Sequence, residues 1–437
     1  MKRHRWNQYR SRATIGFMSL AAFLLLLPGC TGQNSGAAQI SKPPHVVRLE
    51  YWTPFSGGDN QFMTEMVEQF NEEHPEIQVV QKNSRLDDYY SRLKTAVLSG
   101  NAPDVAIVHS TIMPQFVQNG YVEKLTAEAK NIGIDWKRFN PNILRSVLYE
   151  EEYYGIPLDT HALVMYYNKD WLSKAGVLDE AGRPVIPKGA DGFKSFLEQI
   201  RRTVPPDIAP LAQPSTRIDS VWLWWSLYNQ MMDAGQFYSE DGMEATFNNT
   251  ASLEALSFVN SLYKDKLIPP NINDAFQLFY DGKAAVLITG MWGTGAFEKA
   301  TGLHFGVVPM PTLYDRPAVW GDSHNLSIPK KRGMTEEKRE AILTFASWIV
   351  SHGDMWAKAG HVPSMTELTS SEVFNQLEYR SDYAATANYV AYWPRNAKQW
   401  SINERIINEF ERMIYGYQTP EEALDAAVKK INADLRK

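Results

Sequence analysis

The sequence predicts an α/β fold of two lobes, each a mostly parallel sheet flanked by helices, joined by hinge crossings. Three observations carry that expectation. The chain beyond residue 45 is longer than the ~250–300 residues at which single hydrophobic cores stop growing. Residues 46–108 alternate strand, helix, strand, helix, strand. Ala162 to Tyr167 is an almost unbroken apolar run, the pattern of a strand buried on both faces. Polar Asp159, Thr160 and His161 stand at its entry, either as a polar lip on an ordinary strand or as the mark of a strand that passes from one lobe to the other and lines the cleft between them.

The amino terminus reads as a targeting signal. Lys2, Arg3, Arg5, Arg10 and Arg12 precede an apolar stretch, Ile15 to Leu27, that is too short to span a bilayer comfortably. Leu27-Pro28-Gly29-Cys30 resembles a lipobox, which implies a signal peptide over 1–29 and a lipid on Cys30. Cys30 is the only cysteine, so the exported body has neither a disulfide nor a thiolate metal site. Thr31 to Pro44 has the Gly/Ser/Ala/Gln/Pro composition of a flexible tether. The formal charge of −6 becomes −11 once the five basic residues of 1–29 are removed. A body this acidic, with no basic stripe, argues against a nucleic-acid partner.

In the first lobe, Val46 to Trp52, Ile77 to Gln81 and Asp104 to Val108 read as strands. The helix between the first two places Phe62, Met63, Met66, Val67 and Phe70 on one face, with Asp59 as its expected N-cap. Ligands of such sheets bind at the carboxyl ends of strands. The residues expected there are Trp52, Phe55 and Ser56 after the first strand, and His109, Ser110 and Thr111 after the third. Gly57-Gly58 fits neither phosphate-loop spacing and reads as a turn feeding the helix.

In the second lobe, Asn168 fits a helix N-cap and Gly176 its stop. Trp222 and Trp225 share a helical face that excludes Trp224, and an aromatic core face is the plainer account of each. Ala284 to Ile288 is a buried strand, and Gly290, Gly293 and Gly295 hold the backbone open around Trp292, which makes a poor core and a good recognition lip. Glu336 to Val350 and two closing helices follow, the last opened by the Thr419-Pro-Glu-Glu422 capping box.

Several of these segments resemble bacterial extracellular solute-binding proteins of the maltose/oligosaccharide type, and the resemblance covers nearly the whole exported chain. Tyr154-Gly-Ile-Pro157 with Tyr166-Tyr-Asn-Lys-Asp170 is similar to the family's crossing strand, and Phe279 to Trp292 to its glycine-rich turn, whose Trp commonly faces ligand. Trp320-Gly-Asp-Ser-His324 and Gly360-His361-Val-Pro363 resemble its two later crossings. The resemblance implies a monomeric, lipid-anchored, extracytoplasmic protein that holds a mono- or oligosaccharide between its lobes and delivers it to the transmembrane permease of an ABC importer. It also implies a first lobe over 46–158 and 313–352 and a second over 159–312 and 353–437. The expected substrate contacts are Trp52, Phe55, Ser56, Asp59, His109, Ser110, Asp159, His161, Trp222, Trp292, His324, His361 and Trp393, with no cofactor, metal or catalytic residue.

Three other readings stand beside this one. A phosphate-bearing polyol such as glycerol phosphate would use Arg217 or Arg395 as an anchor. A secreted glycosidase needs two facing carboxylates, one with a raised pKa. Asp59, Asp104, Asp159 and Asp322 are the candidates, but no nucleophile elbow or H-E-x-x-H accompanies them. A metal-binding protein would draw on His109, His161, His324 and His361, no two of which have the local spacing of a helical zinc site. Imidazoles that exchange hydrogen bonds with hydroxyls account for them more simply.

Overall fold

A computed structural model describes residues 45–55, 58–126 and 134–437. The export signal, Cys30, the tether and Ser56 lie outside the described residues.

The chain begins with β1 (Val47–Thr53), β2 (Ile77–Asn83) and β3 (Val105–His109), parallel to one another and each followed by a helix. Alternation buries Leu49, Tyr51 and Thr53 of β1. The helix Asn60–Glu73 lays Met63, Met66, Val67 and Phe70 on that sheet. Burying each such side chain contributes ~1.5–3 kcal/mol. Asp59 stands at the N-cap of this helix, yet its side chain makes no capping hydrogen bond, so the expected cap is not formed and the carboxylate turns elsewhere.

A small hairpin, β4 (Leu148–Tyr149) and β5 (Glu152–Tyr153), turns through Glu150 and Glu151, both at positive φ. Next come β6 (Ile156–Pro157) and β7 (Asp159–Asn168). Only Leu158 separates them, although they belong to different sheets. Every residue of β7 is buried, as its apolar run predicts. Asn168 ends it by accepting N–H bonds from Asp170 and Trp171 at 3.0 and 3.1 Å, and Gly176, at φ +65°, closes the helix that follows.

The second sheet adds β8 (Ala209–Ala212), β9 (Ala284–Gly290), β10 (Phe305–Pro309) and β11 (Val319–Asp322). After Ser323 the chain continues as β12 (His324–Ser327), back in the first sheet. Two-residue strands β13 (Val362–Pro363) and β14 (Val390–Ala391) complete the set. The sheets run β2-β1-β3-β12-β6 and β14-β11-β7-β9-β8, with β10 and β13 also paired to β7.

The expectation of mostly parallel sheets holds for β2-β1-β3 and gives way around β7. Its partners β9, β10, β11 and β13 all run antiparallel to it. β7 enters from the first sheet, against the direction of the strands that the second lobe contributes itself. The return also differs from the expected boundary at 313, because β11 still pairs with β7 and the chain leaves the second sheet only at Ser323. The helix Glu336–Ser351 then packs Ile342, Phe345, Ala346 and Ile349 into the first lobe's core. Among the described residues no helix is long and apolar enough to cross a membrane.

Candidate functional site

Strand register builds the site. β12 aligns His324 with His109 of β3, and β11 aligns Asp322 with His161 of β7. β13 aligns Pro363 with Asp159. The three places where the chain changes sheets therefore meet, and polar residues distant in sequence converge. Asp159, His161, His324 and His361 are all buried.

Asp159 is the centre. His324 Nδ1 lies 2.8 Å from Oδ2, His161 Nδ1 3.2 Å from Oδ1, and the His324 backbone N–H donates to Oδ1 at 3.1 Å. The Trp356 indole N–H donates to Oδ2 at 2.5 Å. Burial opposes charge on this carboxyl, but the field of His324 and His361 and the hydrogen bonds from His161 and His324 hold it well below the usual range. Burial holds the His324 imidazole down to about 4 and the His109 imidazole well below its usual value. Both are therefore neutral at physiological pH and offer one donor and one acceptor each.

His361 stacks on Trp356, with centroids 4.5 Å apart and planes within 4°. Its Nε2 lies 3.6 Å from the Asp59 carboxylate and its Nδ1 3.4 Å from Asp159. Neither ring nitrogen has a hydrogen-bond partner among the described residues. Phe55 backs the cluster, edge-on to His324 at 5.1 Å and tilted against Trp356 at 4.9 Å. His109 sits 4.6 Å from His324, ring to ring, and its Nδ1 meets the Tyr90 hydroxyl. Asn325 reaches Ser110 Oγ at 3.3 Å. Asp322, whose carboxyl is pushed up by burial, accepts from both the N–H and the hydroxyl of Thr111.

An aromatic wall adjoins this floor. Trp292 stands edge-on to His161 at 5.6 Å and to Trp222 at 6.0 Å, and Trp222 stacks on Trp320 at 3.9 Å. Trp222 and Trp292 are half-buried, whereas Trp320 is buried with its indole N–H unpartnered. Gly290 makes the wall possible: a Cβ there sits 1.9 Å from the Trp292 ring. Gly360, at φ +120°, lets the His361 turn approach the Met291 carbonyl, which a Cβ meets at 2.0 Å. At and just before the start of the helix that carries Trp222, Ser215 Oγ, Asp219 Oδ2 and Ser220 Oγ are buried without a hydrogen-bond partner among the described residues, although Arg217 lies 3.7 Å from Asp219 Oδ2.

Of the sequence-derived residues, Phe55, Asp59, His109, Ser110, Asp159, His161, Trp222, Trp292, His324 and His361 are brought together or set against the cluster. Trp52 and Trp393 are not. Trp52 bonds Glu50 and lies beside Arg92 on the face toward the helix Leu86–Ser99. Trp393 is buried, stacked on Trp225 at 4.7 Å. Trp224 and Trp225 are both core, which leaves Trp222 as the one of the three at the wall. The sequence reading missed Trp320 and Trp356. Period-two alternation through Trp320, Asp322 and His324 was a usable signal for the first; the second had none.

Among curated proteins, the chain is 25% identical over 435 residues to the arabinooligosaccharide-binding protein of Halalkalibacterium halodurans, covering 90% of each. Among solved structures it resembles an ABC substrate-binding protein from Listeria monocytogenes in complex with cycloalternan. That match has a TM-score of 0.77 and 21% identity, and covers 90% of this chain and 99% of that one. UgpB from Mycobacterium tuberculosis in complex with glycerophosphocholine matches at TM-score 0.77 and 16% identity, covering 89% and 98%. Residues 56–356 match the sequence model of the bacterial extracellular solute-binding proteins, and with a two-lobed fold of that kind the chain belongs to this family.

Proposed function

We propose that the chain is the substrate-binding component of an ABC importer, capturing a mono- or oligosaccharide between its lobes for delivery to the membrane permease. The observation that carries this reading is the aromatic wall of Trp222, Trp292 and Trp320 set against a floor of imidazoles and a carboxylate. A sugar ring has an apolar C–H face and a rim of hydroxyls. Indole faces bury the first, and groups that both donate and accept pair with the second. The relatives named for arabinooligosaccharide and cycloalternan support a carbohydrate. Family membership implies an extracytoplasmic location.

In this reading the first lobe comprises 46–158 with the return that starts after Ser323, the second holds β7 and its partners, and closure is a hinge motion at the crossings. The working unit is a monomer, tethered through a lipid on Cys30. Its task is capture, not catalysis. Asp159 and Asp322 are displaced in opposite directions, as in an acid–base pair. Asp159, however, accepts N–H bonds on both oxygens and Asp322 is bound by Thr111, so neither is left to face a glycosidic oxygen.

The phosphate-bearing polyol of the UgpB complex is less well served. Arg395 donates to the carbonyls of Leu148 and Arg145, and Arg217 lies 3.7 Å from the Asp219 carboxylate. The test is a thermal-shift and calorimetric panel of mono- and oligosaccharides with glycerophosphocholine as rival. A saturating sugar raises the melting point because it binds only the folded state. A response to glycerophosphocholine alone overturns the carbohydrate reading.

A further inference from the structure

We propose that Asp159, His161, His324 and His361 form a binding site for one divalent transition-metal cation of the zinc or cobalt kind. One donor atom from each, a carboxylate oxygen and three imidazole nitrogens, lies within 4.8 Å of every other. That donor set suits zinc, cobalt, nickel or copper; calcium and magnesium call for all-oxygen shells. Bonds of 2.0–2.2 Å in a tetrahedron leave donor atoms about 3.3–3.6 Å apart. The side chains therefore draw inward by on the order of 1 Å, within the reach of χ rotations and without new backbone.

His361 is the independent observation. It is fully buried, it points into the cluster, and both its ring nitrogens lack a hydrogen-bond partner among the described residues. A buried imidazole with a carboxylate near each nitrogen but a hydrogen bond to neither is poorly satisfied, and a ligand bond relieves that cost. The surroundings also suit a cation. Asp59 stands 3.6 Å behind His361 Nε2, Trp356 donates to Asp159, and Phe55 packs against His324 and Trp356, so outer partners orient the inner donors. A transition-metal ion binds imidazole nitrogens in their deprotonated form, so such an ion would meet the charge of the Asp159 carboxylate, with the Asp59 carboxylate beside it.

The ligands arrive on three segments from both sheets: His324 begins β12, Asp159 and His161 begin β7, and His361 immediately precedes β13. An ion here ties the first sheet to the second where the chain crosses between them, and it acts as a clamp on their relative arrangement. This inference shares Asp159 and its imidazoles with the floor of the carbohydrate reading, and because its test uses no sugar the two can fail separately.

The experiment is titration of the chelator-treated full chain with Zn²⁺ by calorimetry and with Co²⁺ by visible absorption. One Zn²⁺ per chain, a raised melting temperature and the intense d–d bands of four-coordinate Co²⁺ are expected. His361→Ala and His161→Ala should each weaken Zn²⁺ binding at least tenfold, and the apo variants are melted first to verify folding. If either fails to fold, the wild-type Co²⁺ spectrum decides alone. Absence of the four-coordinate bands overturns the proposal. So does Zn²⁺ binding that survives in both variants, which assigns the ion to histidines outside the cluster such as His45, His74, His304 and His352.

Discussion

The indoles of Trp222 and Trp320 lie face to face, with centroids 3.9 Å apart and planes within 15°. They come from a helix and a strand, and they differ in burial: Trp222 is half-buried and Trp320 is 4% exposed. One ring is thus free to meet a ligand and the other supports it. Trp320→Ala is expected to cost ~3–5 kcal/mol of stability, as for a core aromatic. Trp222→Ala is expected to cost less stability and to lower sugar affinity at least tenfold, ~1.4 kcal/mol or more. Denaturant melts paired with calorimetry check both. Equal stability losses in the two variants would remove the distinction.

Trp292 is tied to Gly290 in a way that makes a second variant informative. Trp292→Ala should melt near normally and bind sugar at least tenfold more weakly, since truncating an aromatic anchor often costs ~2 kcal/mol or more. Gly290→Ala should reproduce that loss while keeping the indole in the sequence, because the added methyl sits 1.9 Å from the ring and displaces it. Unchanged affinity in Gly290→Ala would mean that the ring's position is immaterial to binding.

How the site could be read in advance follows from where its signals lie. β7 and the Gly290–Gly293–Gly295 turn were legible because their patterns are local: an apolar run bounded by an N-cap, and glycines around one large ring. The convergence of His109, His161, His324 and His361 was foreshadowed only as strand-end positions; the cluster itself is a product of register between strands far apart in sequence. Trp356 reaches Asp159 across 197 residues from a five-residue helix, and nothing near either announces the other. Trp52 shows the opposite failure. A strand's end is expected to face the cleft, but successive side chains alternate, so Tyr51 enters one core and Trp52 packs against the other.

Cys30→Ala should release the protein from the membrane fraction and leave sugar affinity unchanged. On the proposed reading the anchor is Cys30, and residues 31–44 separate it in sequence from the ligand-binding body. Fractionation tests the first half and calorimetry of the released protein the second. Retention of the variant in membranes would remove the lipobox reading.

The last prediction concerns pH and Asp219. This residue is 8% exposed, and its Oδ2 accepts no hydrogen bond among the described residues. Burial pushes its carboxyl pKa up, and the field of Arg217, whose Nε lies 3.7 Å away, offsets only part of the shift. The sign follows from linkage. Between the unfolded pKa, about 3.9, and the higher folded value, the folded chain binds more protons than the unfolded one, so stability falls as pH rises through that window. Above the folded pKa the wild type carries the whole penalty of a buried, poorly satisfied charge. Asp219→Asn keeps the shape and removes the charge. The loss of Arg217's partner is a small term, because the guanidinium is largely exposed. The variant should therefore melt above the wild type at pH 7, with the gap narrowing as pH falls toward about 4. Melting curves of the unliganded proteins across pH 4–7 check this. A gap that stays constant with pH, or a variant that melts lower at pH 7, would show that the Asp219 carboxylate is stabilised by partners that outweigh its burial.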